Sequence, residues 1–459
     1  MRAPTEVPPL RPISLLESDA LVAEIMATRS RLERILFDNV IPFWLRCIDQ
    51  KAGGYLLNHD ERGVWKGPAE KHVIPQARTC WFFSRLATSP GAPPAALPAA
   101  RHGYEFLRDH LWDREYGGFF WTLDPHGRQP VNDEKRLIAQ VFGLYAVSEF
   151  AAASHDESAL ALAGEVFSVL EERLYDRRYG GYRPHATRTW QVPTDKPESW
   201  VHKTVNDHLH VLEALSCFAR VMPDPRVLSR LAECILIMTS SVVRKASGAI
   251  TDRHRPDWTP LLDRANVLVS YGHDLEAVWL VLEACAVAGI PQALVIDWAR
   301  AIADYTCRWG IDRRAGGIYL AGPLGGPAHS RDKIWWVQAE VLIGSLALYR
   351  LTGESRYAGL YLRTLDWIER CYIDWEHGDW YVAVPRSRQF GSDKAGVWKS
   401  PYHNGRAMMK SIELLTPVAL PRPSSESAIS PESRDGSGLE RSANLPPVFP
   451  AADAISGPE

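Results

Sequence analysis

A paired glycine beside an aromatic residue returns along this chain at nearly constant spacing, and that regularity restricts the fold more than any other feature. The copies read KAGGYLL at Gly54, EYGGFFW at Gly118, RYGGYRP at Gly181, ASGAITD at Gly248, RAGGIYL at Gly317 and EHGDWYV at Gly378. Successive gaps are 64, 63, 67, 69 and 61 residues, so the chain counts out six units. A fixed period of this kind marks a repeat architecture, in which each unit buries its apolar face against its neighbours. The 459 residues therefore read as one array, rather than as the roughly two to four domains suggested by length alone.

Helical patterns fill the intervals. DHLHVLEALSCFARVM and HDLEAVWLVLEACAVAG are apolar on most faces, whereas SALALAGEVFSVLEERLYD keeps its charges to one side. That is the difference between enclosed helices and helices with one face in water. Each unit has room for two helices of roughly 12 to 18 residues plus loops, with glycine supplying the positive φ of a tight turn before a short strand. An open solenoid needs polar caps at its ends, yet the first and last units are as apolar as the middle ones. The pattern thus predicts an all-α fold, an (α/α)6 barrel of twelve inner and outer helices with short β-turn strands. The expected boundaries are a flexible segment at 1–18, the barrel over 19–416, and a disordered tail at 417–459 rich in Pro, Ser and Gly.

Composition narrows the function. Lysine and arginine total 52 against 55 acidic residues, a net charge of −3, which gives no basic footprint for nucleic acid. Seven scattered cysteines without a C-x-x-C pair read as reduced thiols and fit a reducing cytoplasm. The first residues, MRAPTEVPPLRPISLLESD, lack the apolar run of a signal peptide, and CILIMTSSVV is too short to cross a bilayer. No membrane association is expected, and either a monomer or a homodimer is compatible with the outer helices.

The repeat also supplies a coordinate, because equal distance from the glycine means similar height in the barrel. Arg78 lies 24 residues after Gly54, Asn206 and His210 lie 25 and 29 after Gly181, and His273 and Glu276 lie 25 and 28 after Gly248. Trp335, Trp336 and Glu340 follow Gly317 by 18, 19 and 23, and His403 and Arg406 follow Gly378 by 25 and 28. Five units therefore place polar or ionisable residues near one end of the inner helices, where they can converge on a central pocket. Their i,i+3 and i,i+4 spacings give shared faces, and charged groups in such apolar surroundings need a reason to be there. Taken singly, a His or Glu on an apolar helix is more often a hydrogen-bonded strut than a catalyst. Glu213 is read as a strut, and His208 as facing away from His210 with no role. The common phase is what favours function. His273-x-x-Glu276 with His210 and His403 has metal-compatible spacing, but there is no H-E-x-x-H and no carboxylate cluster in the sequence, so neither metal nor cofactor is expected.

QARTCWFFSRL, NDHLHVLEAL, GHDLEAVWLVLEA, KIWWVQAEVL and WKSPYHNGRAMM, in this order across roughly residues 40 to 415, resemble the motif series of the N-acylglucosamine 2-epimerase superfamily, most of all its cellobiose 2-epimerase branch. The resemblance implies an (α/α)6 barrel and a cofactor-independent inversion at carbon 2 of an aldose. It implies His273 and His403 as the acid–base pair, one neutral and one protonated near pH 7, with His210 also in the catalytic group. Arg78 and Asn206 would hold the sugar or its enediolate, Glu276 would orient a histidine, and Trp335, Trp336 and Trp398 would offer flat faces to the sugar. Glu340 belongs to the same set. Ile138 stands where the family pattern has tyrosine, which bears on substrate. The wording leans towards β-1,4-disaccharides such as cellobiose. Relatives that epimerise or isomerise mannose, or act on N-acetylglucosamine, are the alternatives. A glycoside hydrolase on the same toroid would need a flanking carboxylate pair in place of these histidines, and a sugar-binding scaffold would not need both.

Overall fold

In each repeat the chain climbs an outer helix, reverses through the glycine turn, makes a strand of two or three residues or an isolated bridge, and descends an inner helix. The computed structural model describes residues 18–193, 196–263, 268–385 and 391–416. The expected tail and all but the last residue of the expected N-terminal segment lie outside them. After α1 (Ser18–Ala27), the first unit has a broken outer helix, α2 (Arg29–Ile35) and α3 (Ile41–Leu45), and the inner α4 (Val73–Ala87). Outer and inner helices then alternate as α5 (Ala96–Phe106) and α6 (Leu137–Ser154), α7 (Glu157–Val169) and α8 (Val205–Val221), α9 (Pro225–Leu236) and α10 (Tyr271–Val287). The series ends with α11 (Ile296–Trp309) and α12 (Trp335–Thr352), then α13 (Ser355–Cys371) and α14 (Tyr402–Leu414).

Consecutive inner helices pack side by side, and α14 returns against α4. At that seam a side chain at Gly405 would reach within 2.3 Å of the Phe82 ring, and Arg85 meets Glu413 at 2.7 Å. The ring is closed, as the apolar terminal units require. Among the described residues, α6 is the one helix long and apolar enough to cross a membrane, and most of it is buried in this ring.

The turns are held by a repeated device. Asp49, Asp113, Asp176, Asp312 and Asp374 cap the backbone N–H groups of their own turns. Each also pairs with a lysine ahead of the inner helix: Lys71 at 2.8 Å, Lys135 at 3.0 Å, Lys203 at 2.7 Å, Lys333 at 2.8 Å and Lys394 at 2.5 Å. Gln76, Gln140 and Gln338 then clamp the peptides of Tyr55, Phe119 and Ile318, accepting from N–H and donating to C=O. His208 holds the equivalent place in the third unit, its Nε2 accepting from Tyr182 N–H at 2.9 Å. It does face away from His210, but it has a structural task. The fourth unit departs throughout, with Arg244, Val269 and Asp274 in place of the acid, the lysine and the amide. Backbone bonding also shows the ruler to be one residue out in two units. Gly248 and Gly378 donate as Gly53 does, so the second position of those turns is Ala249 and Asp379, the latter at φ 57°.

Candidate active site

Every glycine turn precedes an inner helix, so all six inner helices start at the same end of the barrel. There they enclose a cavity of about 780 Å³ lined by Arg78, Asn206, His210, His273, Trp335, Trp336, Trp398 and His403. These are eight of the ten residues singled out from the sequence. All but Trp398 lie in the first turn or two of an inner helix, where unpaired N–H groups and aligned peptide dipoles favour negative charge. Trp398 comes from the loop before α14 and is 61% exposed at the mouth.

Trp336 is the centre of the constellation. Its ring lies 4.7 Å from that of His273 and 5.6 Å from that of His403. The absence of a side chain at Gly272 makes this possible, since a Cβ there would meet the indole at 2.4 Å. Arg78 spreads its guanidinium over Phe142 at 4.2 Å and Tyr402 at 4.6 Å, leaving Nε buried and, among the described residues, unpaired. This is a cation aimed at the cavity and not spent on a carboxylate.

Glu276 and Glu340 do not reach the cavity. They lie beneath it with Glu213, gathered around the buried Arg406. Arg406 bonds Glu276 at 2.5 Å and Glu340 at 2.8 Å, and also contacts Glu213 and the Tyr402 hydroxyl. Glu340 accepts from His403 Nδ1 at 2.7 Å and from Trp279 Nε1 at 2.9 Å. Glu213 accepts from His210 Nδ1 at 3.1 Å and from Tyr402. The expected partner of a histidine, Glu276, is therefore replaced in that role by Glu340 and Glu213. A helix of 3.6 residues per turn carries a residue three positions past His273 inward, away from the cavity mouth. Glu213 is a strut, as read, and in addition fixes the ring of His210. Glu276, Glu340 and His403 bring ligand atoms within 4.8 Å of one another, but the positive charge at that place is the Arg406 guanidinium.

The expected mixture of one charged and one neutral histidine meets an opposing environment. Burial pushes His210 down to about 4 despite the pull of Glu213. Burial, reinforced by Arg78 and Arg406, puts His403 well below its ordinary value. His273 is lowered too, by burial and Arg78 against Asp252 and Glu340. The site thus favours three neutral imidazoles, each with a lone pair available to take a proton.

Sequence reasoning missed Asp252. It lines the cavity with His273 and accepts from Asn206 N–H at 3.2 Å. It sits four residues beyond Gly248, between the glycine turn and the inner helix, where helical phase gives no signal. Departure of the fourth unit from the Asp–Lys pattern was the available signal. Arg406 was in phase but passed over, because its importance lies in partners up to 193 residues away.

The profile of the family described as N-acylglucosamine 2-epimerase (GlcNAc 2-epimerase) matches residues 54–407. A cellobiose 2-epimerase of Bacteroides fragilis is 31% identical over 404 residues, covering 84% of this chain and 98% of the relative. A D-mannose isomerase of Marinomonas mediterranea is 23% identical over 383 residues, covering 81% and 93%. The solved cellobiose 2-epimerase of Spirochaeta thermophila superposes with a TM-score of 0.77 at 32% identity, covering 86% of this chain and 98% of that one.

Proposed function

The chain belongs to the N-acylglucosamine 2-epimerase family and is a carbohydrate epimerase, and from that premise we propose that it inverts carbon 2 of a reducing-end sugar through an enediolate, with His273 and His403 exchanging the proton. The observation that carries this reading is the placement of both histidines against Trp336 in one cavity at the N-terminal ends of six helices. An α-proton leaves an open-chain aldose only if the resulting oxyanion is stabilised. Arg78 and the helix ends provide that stabilisation.

His403, with Nδ1–H donated to Glu340, presents a bare Nε2 that takes the C2 proton as the bond's electron pair moves towards the C1 oxygen. The new negative charge offsets Arg78 and Arg406 and raises the proton affinity of His273. His273 then delivers a solvent-derived proton to the opposite face of C2 while the C1 carbonyl re-forms. His403 releases its proton to solvent. In the reverse direction the roles are exchanged. His210 and Asn206 hold the sugar hydroxyls, and Asp252 steadies His273.

The substrate proposed is a β-1,4-linked disaccharide such as cellobiose, its second ring resting on Trp398 at the mouth. This is supported by the name and coverage of the relatives at about 30% identity. Mannose, by 2-epimerisation or isomerisation, and N-acetylglucosamine are the alternatives, since return of the proton to C1 instead of C2 is a small change of geometry. Hydrolysis is disfavoured because Glu213, Glu276 and Glu340 face Arg406 beneath the cavity and cannot flank a glycosidic bond. The test is incubation in D₂O with cellobiose, mannose and N-acetylglucosamine in turn, following C2 deuteration by NMR. Deuteration of cellobiose with formation of the mannose-terminated product is expected. Exchange on none of the three would refute the reading.

A further inference from the structure

The cluster beneath the cavity is over-supplied with carboxylates. Glu213 from α8, Glu276 from α10 and Glu340 from α12 are all buried and converge on one guanidinium, Arg406 of α14. Arg78 of α4 is a second guanidinium whose field reaches Glu276 and Glu213, without an ion pair to either. Three ionised carboxylates against two guanidiniums would leave a negative charge in a place where an unpaired ion is very costly.

The three are not equally provided for. Glu213 receives hydrogen bonds from Arg406, Tyr402 and His210. Glu340 receives them from Arg406, His403 and Trp279, using both oxygens. Among the described residues, Glu276 receives one, from Arg406 on Oε1, and its Oε2 is buried with no partner. Hydrogen bonds to the charged form are what keep a buried carboxyl ionised. The member with one donor is therefore the one that retains a proton.

We propose that Glu276 is a neutral carboxylic acid, and that its proton leaves Glu340 as the ionised partner of His403, fixing that imidazole with Nδ1–H on Glu340 and Nε2 bare towards the cavity. Glu276 is thus a positioning residue that acts through its neighbours. Its environment is consistent with this, since burial and the facing Glu340 and Glu213 raise its proton affinity against the opposing pull of Arg406, and Arg78, Tyr402 and His403 are the other ionisable groups beside it. If Glu276 ionised while Glu340 took up the proton, His403 Nδ1 would become an acceptor, Nε2 would carry the hydrogen, and the base would be lost. The inference depends on His403 being the base of the reaction proposed above, but the protonation of Glu276 can be read without any sugar.

Infrared difference spectra of protein labelled with ¹³C at the glutamate side-chain carboxyl separate glutamates from Asp207 and Asp274, which are also held above the usual carboxylate range by burial. At pH 7 the wild type is expected to show a labelled protonated-carboxyl C=O band that is missing in Glu276→Gln and retained in Glu213→Gln. The band is read in the wild type whether or not a variant folds. In kinetics, loss of the Glu276 proton at alkaline pH adds a third carboxylate charge beneath the cavity in which the enediolate must form, so kcat is expected to fall there, and this fall is expected to disappear in Glu276→Gln with KM little changed, because the amide copies the neutral acid. Absence of the band at pH 7, its loss in Glu213→Gln instead, or an alkaline limb unmoved in Glu276→Gln would overturn the proposal. If the band is present but no sugar exchanges deuterium, the epimerase mechanism fails while the assignment of the proton stands.

Discussion

Replacing His208 by glutamine tests how the repeat frame is held. His208 is fully buried, accepts from Tyr182 N–H at Nε2 and lies 2.8 Å from Thr204 O through Nδ1. Nδ1 therefore carries the hydrogen, and a second proton on Nε2 would point at an N–H donor. Burial pushes this histidine from 6.5 to about 3. The folded protein keeps it neutral while the unfolded chain charges it, so the stability it contributes is complete above pH 6.5 and is lost as pH falls towards 3. At pH 5 the unfolded state gains from this group about 2 kcal/mol relative to neutral pH. Glutamine makes the same clamp at positions 76, 140 and 338 without titrating. The cost at neutral pH is the packing of the imidazole on Trp258, 4.7 Å between ring centres, worth about 1 kcal/mol or less. Urea unfolding at pH 7.5 and pH 5.0 should show His208→Gln within about 1 kcal/mol of wild type at the higher pH and losing about 2 kcal/mol less on acidification. Parallel loss in the two proteins would refute both the tautomer and the equivalence of histidine and glutamine here.

Further outcomes follow from the site. His273→Ala and His403→Ala should each reduce C2 exchange by about 10² to 10⁴-fold while leaving the circular dichroism spectrum unchanged; full activity in either would end the two-histidine mechanism. In wild type, kcat/KM should stay level as pH falls through 6.5 and decline only below it, because burial lowers all three site histidines, His210 to about 4; an acid limb centred at or above 6.5 would contradict that environment. Arg406→Met should cost about 3 to 5 kcal/mol in urea unfolding by leaving buried carboxylates without their cation, and a smaller loss would mean that Glu213 and Glu340 are protonated as well as Glu276. Trp398→Ala, at an exposed position, should change stability by no more than about 0.5 kcal/mol and raise KM for a disaccharide more than for mannose.

The number of units and the layer in which the chemistry sits are legible in the chain, and the closure follows from end units as apolar as the middle ones. Count and layer are properties of period and phase, set by residues close together in the chain: glycine for a turn at positive φ, apolar spacing for a helix, and equal offsets for equal height. Eight of the ten chosen residues reach the cavity for that reason. The tertiary structure alone decided which glutamate meets which histidine. Glu340 and His403 are 63 positions apart, Arg406 and Glu213 are 193, and no offset along one helix says which neighbour a side chain will meet once the ring has closed. Charge state belongs to the same level. A histidine in a sequence has one expected proton affinity, whereas in the barrel burial and two nearby guanidiniums move it below that value. Asp252 stayed hidden because it comes from a turn, where phase along a helix has no meaning, and only folding of the fourth unit brings it to the cavity that His273 also lines.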